Sequence, residues 1–183
     1  MNWLNTLFIL ATAFLGVFWE AAFNGFRQVV GAQIDLLPAL MVYASLSAGL
    51  GTVALLAFCG GLWFDSLSAN PLGVTVLPLF LVGLLIYAKR DLILREQPFA
   101  QLVLGLAASA FVPLVVMLML LTTGHTPLLG WGTLWQWVVM SAGGALITPL
   151  VFGLFSRLNQ GLLYARQTQT SFRPDREIRR GRG

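Results

Sequence analysis

Few residues in this chain have the chemistry for catalysis or ligation, and they stand apart from one another. Its 183 residues include one cysteine and one histidine. Cys59 lies inside an apolar stretch, with no second thiol for a disulfide or a metal site. His125 sits in Thr-Gly-His-Thr-Pro, and no other histidine, cysteine or carboxylate lies near it, so it reads as a loop residue rather than a ligand. Glu20 falls near the far end of an apolar run, where a carboxylate still reaches polar surroundings. Asp65 is the most informative acid, within Gly60-Gly61-Leu62-Trp63-Phe64-Asp65-Ser66-Leu67-Ser68-Ala69-Asn70-Pro71-Leu72-Gly73. Its carboxylate could accept hydrogen bonds from backbone amides of the turn Ser66–Asn70. The alternative is a cation, proton or substrate site, because acids embedded in membranes are often functional. Its place at the edge of the apolar run favours the cap. Gly60 and Gly61 allow close approach of another helix. Pro71 is expected in the first turn of the following helix, where its missing amide costs nothing. No Gly-rich phosphate loop, catalytic dyad or metal-ligand spacing occurs in the sequence. The expectation is a protein that is not an enzyme and needs no cofactor or metal.

The elements that carry these residues are apolar. Hydrophobic residues make up 57% of the chain and charged residues 10%, against roughly 25% charged in a soluble domain. Mean hydropathy is +0.80. Most of such a surface must face lipid. The formal net charge of +4 sits entirely in the tail Arg166–Gly183, where six arginines face Asp175 and Glu177. The body is neutral and offers no basic face to grip phosphates, which argues against nucleic acid.

Six spans are expected, all helical. The first covers about Trp3 to Phe23 and reads as a retained span rather than a signal peptide, since no basic residue precedes it. A polar link follows, Asn24 to Asp35. The charge-free stretch Leu36 to Phe64 would be about 43 Å long as one helix, too long for ordinary tilt. Gly49 and Gly51, beside Ser45 and Ser47, divide it into a second and a third span. The fourth covers Val74–Ala88, the fifth Phe99–Leu121 and the sixth Leu134–Phe155. Pro78, Pro113 and Pro149 lie within the last three and could kink them. Gly83 and Gly143-Gly144 mark helix contacts. Tryptophans 3, 19, 63, 131 and 135 fall near span ends, at headgroup depth.

The positive-inside rule then orients the chain. With an inside N-terminus, the loop Lys89–Gln97, Arg157 and the arginine tail are cytoplasmic, and only Arg27 falls on the wrong side. A five-span rival places Arg27 correctly but needs the overlong helix. The expected organisation is a six-helix transmembrane domain over 1–165 and a flexible, basic cytoplasmic tail over 166–183. Each tail arginine near an anionic inner leaflet would contribute about 1 kcal/mol. The tail could instead only fix orientation, or meet an acidic cytoplasmic partner.

The segment Pro38 to Ile86 resembles the bacterial rod shape-determining family MreD. The likeness runs through Pro38-Ala39-Leu40-Met41-Val42-Tyr43, then Gly60-Gly61-Leu62-Trp63-Phe64-Asp65-Ser66-Leu67, then Pro71-Leu72-Gly73. The clear match covers about a quarter of the chain; elsewhere only hydropathy is shared. Where family members often carry basic residues between helices 2 and 3, this chain has Ser47-Ala48-Gly49-Leu50-Gly51. The resemblance implies a non-enzymatic scaffold of the bacterial inner membrane with both termini cytoplasmic. Its implied partners are MreC, bound through its transmembrane helix, and indirectly MreB, RodA and the elongation transpeptidase. The family also looks like the substrate-binding subunits of energy-coupling-factor transporters. That likeness implies a six-helix fold and leaves a vitamin-binding subunit as the alternative reading. Gly60, Gly61, Asp65, Pro71 and Gly73 are the residues expected to shape the partner-binding region.

Overall fold

The computed structural model describes residues 3–22, 31–68, 70–93, 97–123 and 130–170, with side chains up to 158. The described residues form α-helices, one short 3-10 turn and no strands. The α-helices are α1 (Trp3–Ala22), α2 (Leu37–Ser47), α3 (Leu50–Leu67), α4 (Val76–Lys89), α5 (Pro98–Thr122) and α6 (Trp131–Thr170), with the 3-10 turn Arg90–Leu92 after α4. The protein is a helical membrane bundle. Among the described residues, four stretches are long and apolar enough to cross a membrane: Trp3–Ala22, Leu50–Leu67, Pro98–Thr122 and Trp131–Leu158.

The division of Leu36–Phe64 falls where the sequence suggested, but by a different device. Ala48 and Gly49 are both extended, Gly49 at φ −84°. Any residue adopts that backbone, so glycine's conformational freedom is not what ends α2. Gly49 instead starts α3, its carbonyl accepting from Thr52 and Val53 at 2.9 and 3.2 Å.

Residues 1–151 form one compact unit. At its centre lies α2, buried from Leu37 to Leu46 on every side. A helix apolar all round belongs inside a core. With 11 residues it is about 16 Å long, roughly half the hydrocarbon thickness. It packs against α1, α3, α4 and α5.

Contacts fix the directions of the first four helices. Thr6 and Thr52 share a hydrogen bond of 2.9 Å, and farther along, Phe14 meets Trp63 edge-on at 5.2 Å. Both helices advance together, so α1 and α3 are parallel. Leu36, just before α2, lies against Gly16 late in α1, and Leu37 against Gly60 late in α3. Gly61 lies against Val76 and Gly83 against Val53. Hence α2 and α4 both run opposite to α1 and α3. The pair α5 and α6 is antiparallel as well: Gly105 meets Thr148, Ser109 meets Gly144, and Trp137 Nε1 donates to the Ala110 carbonyl at 2.9 Å.

Small residues make these crossings tight. A side chain at Gly83 would meet Val53 at 2.6 Å and Met41 at 2.7 Å, and one at Gly143 would meet Ile34 at 2.7 Å. At Gly105 and Gly144 it would collide with Thr148 and Ser109. The outward faces are apolar: Leu4, Leu15, Phe18 and Trp19 on α1, and Leu114 and Leu118 on α5, are exposed. Such a surface suits lipid, where no water competes.

Three expectations about prolines and boundaries need correction. Pro78 lies in the first turn of α4 rather than mid-helix, so it has no preceding helical turn to kink. Pro71 lies before α4, not in its first turn; its carbonyl accepts from Val74 at 3.3 Å. The last helix continues to Thr170, past Phe155 and five residues into the stretch expected as a tail. Residues 152–183 form a second unit, helical as far as Thr170, in which Ser156 Oγ donates to the Gly153 carbonyl at 2.9 Å. Phe23, the link 24–30 with Arg27, His125 and the tail from 171 lie outside the described residues.

Candidate functional site

Asp65 is a helix cap with an unusual reach. It stands near the end of α3 and is 2% exposed. One carboxylate oxygen accepts from the amides of Gly73 and Thr75 at 2.9 and 3.0 Å, and the other accepts from the Thr75 hydroxyl. The donors are therefore Gly73 and Thr75, not the Ser66–Asn70 turn. Thr75 precedes α4 directly, so one carboxylate serves the orphan amides that any helix start exposes. Its negative charge also suits the positive end of the α4 dipole. The bond to Gly73 depends on a left-handed backbone, φ +89°, which favours glycine. Nothing lies within 4 Å of where a Gly73 side chain would begin. The backbone, not the space, requires this residue.

Gly60 and Gly61 face the chain's own helices. A side chain at Gly61 would meet the Val76 backbone at 2.9 Å, and one at Gly60 would meet Leu37 at 3.0 Å. Gly61 lets α4 begin against α3, close enough for Asp65 to cap it. Thus Gly60, Gly61, Asp65 and Gly73 belong to one arrangement, while Pro71 is exposed on the connecting turn.

A second carboxylate cap starts α2. Glu20 Oε1 accepts from the Leu36 amide at 2.7 Å, and Asp35 Oδ1 from the Leu37 amide at 2.9 Å. Asp35 is 4% exposed. Glu20 Oε2 is buried with no hydrogen-bond partner among the described residues. Glu20 therefore turns inward to the start of α2 instead of reaching outward. The sequence carried part of this signal. Asp35 stands two residues before the start of a helix that has Pro38 at its opening, which is a helix-start pattern. The contribution of Glu20 is a contact across 16 positions, which no local pattern encodes.

Two further buried hydroxyls lie where α5 crosses α6. Thr148 donates to the Gly144 carbonyl at 2.7 Å, whereas Ser109 Oγ has no partner among the described residues. Both lie at the α5–α6 crossing, where the glycines leave no room for a ligand. Among the described residues no three histidines, cysteines or carboxylates come together as a metal site would require. The carboxylates hold backbone amides, and the glycines hold helices together.

The chain matches no protein-family model, no curated protein and no solved structure.

Proposed function

We propose that this chain is a non-catalytic scaffold of the MreD type, a six-span protein of the bacterial inner membrane that holds the transmembrane helix of MreC. Through MreC it would act with MreB, RodA and the elongation transpeptidase in lateral wall synthesis. The observation carrying this reading is what the family-like residues do. Pro38–Tyr43 form the enclosed α2, and Gly60, Gly61, Asp65 and Gly73 lock α3 to the start of α4. The residues of the resemblance are fold-makers, which is what a scaffold requires.

The approach spaces at Gly60 and Gly61 are taken by Leu37 and Val76. A partner helix therefore docks on an outward apolar face, such as that of α1, rather than between α3 and α4. The alternation of α1 to α4 and of α5 with α6 supports six spans, with α2 and α4 short, at 11 and 14 residues, and α2 shielded by its neighbours. Both termini then lie in the cytoplasm, with Lys89, Arg90 and the arginine tail on the positive side.

The test is affinity purification of the tagged full chain from bacterial inner membranes. MreC in stoichiometric amount is the expected result, and its absence overturns the reading. Reporter fusions at the two termini should both report the cytoplasmic face. Opposite faces would overturn the six-span arrangement alone.

A further inference from the structure

The turn that closes α4 differs in chemistry from the surface around it. Lys89 ends the helix and Arg90 opens the 3-10 turn Arg90–Leu92, and both side chains are exposed. The Arg90 guanidinium carbon stands 4.3 Å from the centre of the Tyr87 ring. Stacking on an aromatic face fixes a guanidinium plane and leaves its in-plane N–H groups free to bind a phosphate in a bidentate way. The Asp91 carboxylate does not occupy them. Asp91 Oδ1 is 3.7 Å from Nε, beyond hydrogen-bond range, and Asp91 is 93% exposed, where ion pairs contribute little.

Two apolar side chains follow the cations closely in the chain. Leu92 is 80% exposed and Phe99, at the start of α5, 75% exposed, more than nearly every other large apolar residue among those described. In water such exposure is unfavourable, at about 25 cal/mol for each Å² of apolar area. At the boundary between headgroups and acyl chains it becomes favourable, because apolar tips enter the chains while cations stay at the phosphates.

We propose that this turn binds an anionic phospholipid at the membrane surface, with Lys89 and Arg90 on the headgroup phosphate and Leu92 and Phe99 in the outer acyl region. Tyr87 acts as the positioning residue for Arg90. The proposal needs no partner protein and so stands apart from the MreC reading, sharing Lys89 and Arg90 only with the argument for the placement of the termini.

The experiment uses the full chain in neutral detergent, with bound lipid counted by native mass spectrometry. Dioleoyl phosphatidylglycerol, dioleoyl phosphatidylcholine and inorganic phosphate are titrated separately. The unaltered protein should hold phosphatidylglycerol more tightly than phosphatidylcholine. The K89Q/R90Q variant should lose phosphatidylglycerol affinity by roughly tenfold or more, with phosphatidylcholine unchanged. The C-terminal arginines are present in both proteins, so the difference reports this turn. L92S/F99S should also weaken phosphatidylglycerol, although both cations remain. R90K, which keeps the charge and loses the planar fork, should fall between the extremes. Unchanged phosphatidylglycerol affinity in K89Q/R90Q overturns the proposal, as does equal loss of both lipids. Competition by inorganic phosphate at millimolar concentration also overturns it, since a phosphate site would then need no acyl chains.

Discussion

In the pairing of α1 with α2, a long helix offers a late carboxylate, Glu20, to the start of a short antiparallel helix; in the pairing of α3 with α4, Asp65 does the same. The circumstances differ. Asp65 is alone and accepts from three donors. Glu20 shares its helix start with Asp35, and the two acids accept from only two consecutive amides. A buried oxygen of Glu20 has no donor among the described residues. One carboxylate fully satisfied makes a strong joint. Two sharing the same helix end make a weaker one, in which a neutral acceptor can still serve the amide.

The comparison is most exposed at Asp65. Asp65→Ala leaves a part-buried amide, a buried amide and a buried hydroxyl without an acceptor, at about 1–3 kcal/mol for each buried group. Thermal unfolding of the detergent-solubilised protein should show a loss of roughly 3 kcal/mol or more. A Tm close to that of the unaltered protein would mean that the α3–α4 joint does not depend on this cap.

Next in size is the contact that brings Asp65 into reach. At Gly61 a side chain meets backbone, which cannot rotate away, whereas at Gly60 it meets the flexible end of Leu37. Overpacking typically costs about 1–3 kcal/mol, so Gly61→Ala should destabilise by that order and Gly60→Ala by clearly less. Equal effects in the same unfolding assay would show that α4 shifts freely on α3.

The smallest effect is expected at Glu20. Glu20→Gln keeps a carbonyl for the Leu36 amide in a side chain of nearly the same shape. The stability change should stay within about 1 kcal/mol, in either direction. A loss as large as that of Asp65→Ala would erase the distinction between the two caps.

How much of this was legible in the sequence depends on the range of the interaction. The six helices follow from apolar runs and their interruptions, which are local, and their ends fall close to expectation from α1 to α5. The break after Ser47 was readable because a single helix over Leu36–Phe64 would overshoot the bilayer, although Gly49 was credited with a conformation that it does not use. Asp65 is recognisable as a capping acid at the edge of an apolar run, beside a turn. Its true donors were hidden, because Gly73 and Thr75 come within reach only once Gly61 has let α4 settle on α3. Glu20 was misjudged for the same reason. Near a helix end it looks exposed, and only the folded-back start of α2 turns it inward. Proline was over-read twice, since its effect depends on the turn it occupies, and helix starts after Asn70 could not be fixed to the residue.

The enclosed position of α2 bears on how the chain is made. A segment of eleven residues with scarcely any side chain facing outward gives an insertion machinery little to select, since spanning calls for about twenty apolar residues. It would travel with α3 as one greasy stretch and bend into two only when α4 arrives to enclose it beside α1. The carboxylates at its head would then be drawn inward last. On that account, the short helix is enclosed by packing among helices already in the bilayer, and truncation before α4 should strand α2 without the walls that shield it.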